Sequence, residues 1–528
     1  MPKSTRASKN SKTPPASKKK LGGSRAAAAG WQGIAAALVL SCVVCVAALW
    51  WFSARGYLLY YGDAVAHLNI ARRLFDSRTP GYEQIGTVWL PLPHWIMAWF
   101  AHDRAWWSNG LAGGIPAAIA QAFAALFLFA SLRRALSCTT AALVGMLLFL
   151  LNPNSAYLGS LPMTEPFFAF AFCALVWFTI SGSAAGAGIA ACAATLIRYD
   201  GWFLLPFVAL YFLVTAGWRR AALFSALAGA GPLYWLWHNW AYFGDPLEFY
   251  WGPYSAKAIN QRAVDAGMAR YPGDHAWLPA WRQFRAAAEL VAGLPLAMIG
   301  VVGFAALLWK RAWALAALLL LPPLFYWLSI YSSGTPIFVP HLEPFSYYNT
   351  RYGLAALPLL AAGAAAIVSV TPGRARAIVA PAVLIAGLSW WIFFPRADAW
   401  ICWKESQVNS EARRAWTGEA AEYLRAHYDG GGILTSFGDL AGIFQQAGIP
   451  MVQTVHEGNG PLWFAQVYGK PEFFLHQRWV LTRSGDAIGD MVVRARLRGP
   501  RYELVKSIAV KDAPVLEIYK LVERFPKR

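Results

Sequence analysis

Long apolar runs separated by short polar connections fill the first 395 residues. Each run approaches the roughly 20 residues that a helix needs to cross a bilayer core. They predict spans at about 31–53, 112–132, 138–153, 164–181, 186–200, 202–217, 221–240, 288–308, 312–331, 353–370 and 377–395, about eleven helices in all. Two connections, 54–111 and 241–287, are long. In the first, apolar residues recur at Ala64, Leu68, Ala71, Leu74 and Phe75, a helical spacing that predicts an amphipathic helix along the membrane surface. Further on, VWLPLPHWIMAWF is apolar but short and broken by proline, which predicts an interfacial or re-entrant piece.

After Pro395 the pattern changes. Residues 396–528 hold no apolar run long enough to span, and they carry 18 Lys and Arg against 15 Asp and Glu. GGILTSFGDLAGIFQQAG reads as strand, turn and helix, while RWVLTR, YELVKSIAV and VLEIYKLV read as strands. The expected fold is an α-helical multi-pass membrane domain, 31–395, followed by a small extracytoplasmic α/β domain, 396–528.

Composition supports this reading. The chain is 57% hydrophobic and 14% charged, well below the roughly one quarter charged of soluble domains. Its net charge of +19 does not point to nucleic acid. Eight of the Lys and Arg residues precede residue 26 with no acid among them. That predicts residues 1–30 to be a disordered basic cytoplasmic tail drawn to anionic lipid, ahead of a retained anchor rather than a cleaved signal. Arg133-Arg134, Arg219-Arg220, Lys310-Arg311 and Arg374/Arg376 fall on the side of that tail, the positive-inside pattern. All twelve acids before residue 396 fall on the other side. An odd number of spans then places the C-terminal domain outside. The composition leans bacterial, which makes the membrane the inner (plasma) membrane. Five of the six cysteines lie in or beside apolar segments, where Cys is a small hydrophobe.

The candidate chemistry sits at the outer ends of the apolar runs. Asp63, in YYGDAVAHLNIARRLFDS, is either a helix cap or a carboxylate held at the membrane surface as a general base. Glu165, in LPMTEP, either complements a helix dipole or binds an acceptor hydroxyl or a cation shared with Asp63. Arg351, in YYNTRYGL, opposes both the positive-inside bias and the helix dipole. It calls for an anionic partner: a phosphate gripped bidentately, or Glu343. Arg198, in LIRYDGW, serves in the same way or pairs with Asp200. His67, His94, His238 and His341 lie on the outer side without a spacing diagnostic of metal. No P-loop, Rossmann fingerprint or GxSxG elbow is present.

A first span followed by a large outer loop opening with Asp63, then GTVWLPLPHWI, MTEPFF, LIRYDGW and NTRYGLAALP in that order, resembles the GT-C superfamily of integral-membrane glycosyltransferases. The similarity is to relatives of the polyprenyl-phosphate mannosyl- and aminoarabinosyltransferases and covers about residues 31–395. It implies transfer of a sugar from a polyprenyl-phosphate carrier to a lipid, glycan or protein acceptor outside the cytoplasm, usually with inversion. By that resemblance Asp63, in the catalytic outer loop 54–111, is the catalytic base. Glu165, Arg198, Tyr199, His67, His94, Arg351 and Tyr352 are the expected substrate-binding residues. Asp63 is followed by Ala64 rather than Glu, a departure from the paired acids of protein mannosyltransferases that leaves a Mg²⁺ or Mn²⁺ requirement open. The competing expectations are en bloc transfer of a lipid-linked glycan, as in an oligosaccharyltransferase or polymerase, and lipid or sugar transport.

Overall fold

The computed structural model describes residues 19–332, 334–511 and 513–524. Every apolar run of the sequence contains helix. Among the described residues five helices are long and apolar enough to cross a membrane: Gln32–Ala54, Leu111–Leu136, Trp313–Ser332, Thr350–Val370 and Ala375–Phe393. Thr139–Leu150, Glu165–Ile180, Ala184–Thr195 and Asp200–Ala216 are apolar but shorter. Trp218–Phe243 is long and carries Arg219 and Arg220 in its first turn.

Three expectations change. The span expected at 288–308 is two helices, Trp277–Ala292 and Leu294–Trp309, bent by 110°. Gly293 between them has φ +79°, a left-handed conformation natural to glycine. Pro295 in the next first turn has no amide hydrogen to continue the ladder. At the N-terminus the first helix begins at Lys19, so residues 19–30 are helical; the rest of the expected tail, residues 1–18, lies outside the described residues. Finally, the Gly62–Arg73 helix does not lie on a surface. His67, Leu68, Ala71 and Arg72 are all buried, because the Leu92–Phe100 helix of the same loop and the Ala441–Ala447 helix of the C-terminal domain pack against it.

Small residues let the membrane helices approach. Leu294–Trp309 packs on Leu357–Val370, and a Cβ on Gly303 would overlap the Gly363 carbonyl.

The C-terminal domain holds a five-stranded sheet: β1 Ile433–Thr435, β2 Thr454–Val455, β3 Trp479–Arg483, β4 Arg501–Ile508 and β5 Leu516–Glu523. The order is β2-β1-β3-β5-β4. β1 pairs in parallel with β2 and β3, and β5 is antiparallel to β3 and β4. The Ile401–His427 helix joins this sheet to the membrane domain. Its far half packs Trp416, Ala420 and Leu424 against Ile433 and Trp479. Its near end is fixed by Tyr61 Oη donating to Cys402 O at 2.8 Å and Cys402 N donating to Asn154 Oδ1 at 2.9 Å. Further contacts bind the 54–111 connection to the sheet domain: Val452 N to Asp76 Oδ1 at 3.0 Å, Gln445 Nε2 to Trp107 O at 2.5 Å and Gln84 Nε2 to Gly458 O at 2.7 Å.

Candidate active site

Four of the residues singled out by sequence meet in one place, although they lie up to 288 positions apart. Asp63 is in the first turn of Gly62–Arg73 and does not cap it; the cap position is Tyr61. Glu165 opens the Glu165–Ile180 helix. Arg198 lies between the Ala184–Thr195 and Asp200–Ala216 helices, and Arg351 in the 3-10 turn that starts Thr350–Val370.

Arg351 holds three carboxylates. Nη2 reaches Asp63 Oδ2 at 2.5 Å, Nε reaches Glu165 Oε1 at 3.2 Å, and Nη1 reaches Glu405 Oε1 at 3.2 Å. Its partner is therefore not Glu343. Arg198 takes up the other side of Glu165 Oε1 at 3.1 Å and Asp200 Oδ2 at 3.4 Å. Its Nη1 also donates to Thr164 Oγ1 at 2.8 Å, and its Nη2 to Tyr326 Oη at 2.6 Å; that hydroxyl donates onward to Asp200 Oδ2 at 2.7 Å. Opposite charges alternate along this chain of contacts from Asp200 to Asp63. The Tyr352 ring faces both guanidiniums, at 5.3 Å from Arg198 and 5.2 Å from Arg351.

Exposure separates the carboxylates. Side chains of Glu165, Asp200 and Glu405 are 8%, 5% and 2% exposed, whereas Asp63 is 39% exposed. Three are therefore locked by their cations, and Asp63 is the one that a reactant can reach.

Glu405 was not among the residues picked out by sequence. It comes from the helix that leads into the C-terminal domain, and its Oε2 accepts Thr350 N at 2.6 Å and the Thr350 hydroxyl. Burial pushes its carboxyl above the ordinary range against the pull of Arg351 and Thr350. The same helix brings Arg413 to the start of Gly62–Arg73, where Nη2 donates to Tyr60 O at 2.6 Å. A Cβ on Gly62 would collide with that guanidinium.

The other expected residues stand apart. His67 Nδ1 and His94 Nε2 face each other at 2.9 Å, both buried. Burial pulls His67 down to about 4, although Asp63 and Glu165 oppose the shift. Burial disfavours the protonated form of both rings. Tyr199 turns away: its hydroxyl donates to Val88 O at 2.8 Å and accepts from Trp235 Nε1 at 3.1 Å.

Next to the charges runs a crevice. Phe149, Phe168, Phe172, Pro322 and Pro358 line its apolar part, and Glu165, Arg198, Asp200, Tyr326, Arg351 and Tyr352 its polar part. Among the described residues no three His, Cys, Asp or Glu side chains form a metal-binding group. Asp63, Glu165 and Glu405 do converge, but on the guanidinium of Arg351. That donor set does not fit a resident Mg²⁺ or Mn²⁺.

No family model matches the sequence, and no curated protein matches it. A solved structure does. ArnT from Cupriavidus metallidurans in the apo state matches with a TM-score of 0.54 at 14% identity, over 93% of this chain and 98% of that one. The chain has the ArnT fold, many apolar helices followed by a small C-terminal sheet. At 14% identity the likeness to ArnT is one of fold, and the roles of individual side chains rest on the geometry above. The ArnT-like match extends beyond residues 31–395, where the sequence motifs lie, to include the C-terminal sheet domain.

Proposed function

We propose that the protein is a GT-C-type glycosyltransferase that moves a sugar from a polyprenyl-phosphate carrier to an acceptor hydroxyl at the extracytoplasmic surface of the bacterial inner membrane. The observation that carries this reading is the crevice, lined by Phe149, Phe168 and Phe172 and by the guanidiniums of Arg198 and Arg351, with Arg351 also paired to the part-exposed carboxylate of Asp63. An isoprenoid suits the phenylalanine-lined part. A phosphate suits the polar end. A guanidinium has five N–H donors; Arg351 commits three to carboxylates and Arg198 four to its neighbours, which leaves donors on both for phosphate oxygens. The positive-inside pattern of the sequence supports an outward position for this end of the helices.

The chemistry follows from those positions. The acceptor oxygen attacks the anomeric carbon, the bond from that carbon to the carrier phosphate oxygen breaks, and polyprenyl phosphate leaves. Asp63 takes the proton of the attacking hydroxyl. Arg351 and Arg198 stabilise the charge that builds on the leaving phosphate. Attack opposite the leaving group inverts the anomeric centre. The donor phosphate competes with Asp63 for Arg351, so donor binding loosens the 2.5 Å ion pair and frees the base when the donor is in place.

The test uses wild-type and Asp63→Asn protein in lipid vesicles with radiolabelled polyprenyl-phosphate sugars and membrane-extract acceptors. Asn keeps the shape of Asp63 and cannot accept the proton. Transfer is expected to fall by about 10²–10⁴-fold, the usual worth of a positioned base. Undiminished transfer by Asp63→Asn overturns the assignment.

A further inference from the structure

Outside the site, the most prominent unassigned feature is an aromatic surface on parts of the chain that lie beyond the membrane helices. In the C-terminal domain, Phe464 and Tyr468 on the Pro461–Tyr468 helix and Phe473 beside them are 57%, 57% and 63% exposed. The Phe464 and Tyr468 rings stack with centroids 5.9 Å apart. From the 241–287 connection, Tyr250, Trp251 and Tyr254 are also exposed, and Tyr254 lies in the neighbourhood of Tyr468 and Glu457. A soluble domain rarely shows water so many neighbouring large rings without a partner.

The height of this surface is fixed by packing. Phe249 stacks on Tyr199, centroids 5.2 Å apart and 13° from parallel, and lies 5.7 Å from Trp202. Those two residues stand at the start of the apolar Asp200–Ala216 helix. Tyr250 and Trp251 follow Phe249 directly, so they lie beside the start of that apolar helix. Lys257 Nζ sits 4.4 Å from the Trp251 ring centroid and 5.0 Å from that of Tyr250. Tyrosine, tryptophan and lysine at the end of apolar helices are the composition of the headgroup layer. Lys257 also belongs to the Ala256–Asp265 helix, none of whose residues is buried. With Ile259 exposed and Arg262 in its last turn, that helix has the amphipathic form of an interfacial segment.

We infer that this aromatic surface rests in the headgroup layer of the outer leaflet, so that the C-terminal domain lies on the bilayer through its Pro461–Tyr468 helix. The partner is the lipid surface itself. Rings at this depth keep an apolar body in the acyl boundary and a polar edge in water. The domain that supplies Glu405 is thereby steadied from two sides, by the Ile401–His427 helix and by lipid. The inference rests on the membrane helices and not on the sugar-transfer reading, so the two fail separately.

The experiment places a fluorophore on single cysteines at Phe464→Cys, Trp251→Cys and Glu503→Cys, in the full chain with its native cysteines replaced. Glu503 is exposed on β4, the sheet edge opposite β2. The protein is reconstituted into vesicles containing lipids with a nitroxide near the headgroup. Quenching several-fold stronger at 464 and 251 than at 503 is the expected result. Equal quenching at all three sites overturns the inference and leaves a protein partner as the occupant. A second measurement needs no variant. Hydrogen exchange of peptides covering 461–474 in the wild-type protein is expected to slow when detergent micelles are exchanged for bilayers, and an unchanged rate counts equally against the inference.

Discussion

Arg351 and Arg73 are both buried beyond the ends of the apolar helices, on the side of the C-terminal domain, and they are held in opposite ways. Arg351 makes ion pairs with Asp63, Glu165 and Glu405. Arg73, at the far end of the helix that carries Asp63, makes no ion pair among the described residues. Its Nη2 donates to Gln84 O at 3.1 Å, its guanidinium lies 5.3 Å from the Phe437 ring centroid, and its Nε has no partner among the described residues. Burial pulls Arg73 down to about 10, with only the nearby Glu457 charge opposing it. Taking a cation out of water costs several kcal/mol unless partners compensate. Around Arg351 three carboxylates do so, and each needs the arginine as much as it needs them. Around Arg73 the compensation is a carbonyl and a ring. The first arginine organises a site; the second fills a seam between the outer loop and the ends of β1 and β2.

The strongest way to break this contrast is Arg351→Met. The substitution leaves Glu165 and Glu405 buried without their shared cation, a situation that costs about 3–5 kcal/mol when one partner of a buried pair is removed. Thermal unfolding in detergent is expected to show that loss, together with abolished sugar transfer. Unchanged stability means that the three contacts are not a working unit.

Glu405→Gln is the next largest. It keeps the shape and removes a charge that serves Arg351 and Thr350 together. Hydrogen bonds to charged groups contribute about 1.5–3 kcal/mol, so transfer is expected to drop about tenfold or more, since 1.4 kcal/mol is a factor of ten. Glu405→Asp is expected to recover part of it. A drop of the same size in stability with no change in kcat makes Glu405 a mere anchor for the domain.

Much of this was legible in the residues. Asp63, Glu165, Arg198 and Arg351 stand out because an ionisable side chain at the end of an apolar run has few neutral explanations. The strands around Leu434, Val480, Leu504 and Ile518 show in their apolar patterning. Glu405 does not, because ICWKESQVNSEARRAW is charged throughout, and nothing local distinguishes the glutamate that faces the membrane domain from those in water. Asp200 looked like a surface partner for Arg198, yet it is buried and shared with Tyr326. Tyr199 neighbours Arg198 in sequence, but the turn into the next helix points the two side chains apart. The break at Gly293 is written in Gly293-Leu294-Pro295, although the run is apolar enough to pass for one span.

Acid is expected to act at the middle of the Gly62–Arg73 helix and beside its Arg73 end. His67 is held down to about 4 by burial, and His456 is pushed well below its ordinary 6.5 by burial and by Arg73. Each is neutral when folded and takes up a proton more readily when unfolded. Stability is therefore full above 6.5 and falls as pH drops below it, by up to about 1.4 kcal/mol per pH unit for each ring. Unfolding temperatures between pH 7 and 5 check the slope. His456→Gln is expected to reduce it, and an unaltered slope removes His456 from the account.

The smallest expected effect is the most telling about the comparison. Replacing a buried ion pair by apolar side chains of similar volume is often neutral or stabilising by about 1–4 kcal/mol, and Arg73 makes no ion pair among the described residues whose carboxylate its removal would strand. Arg73→Met gives up one bond to Gln84 O and the contact with Phe437, and it no longer holds a guanidinium away from water. Its unfolding temperature at pH 7 is expected to match or exceed that of the wild type, in contrast to Arg351→Met. His456 Nδ1 accepts from Gly458 N at 3.1 Å, and this geometry does not depend on Arg73. With the arginine charge gone, protonating His456 becomes less costly, so the acid slope should also shrink. A large loss of stability in Arg73→Met would mean that Glu457 serves Arg73 as the carboxylates serve Arg351, and that the two arginines are held in the same way.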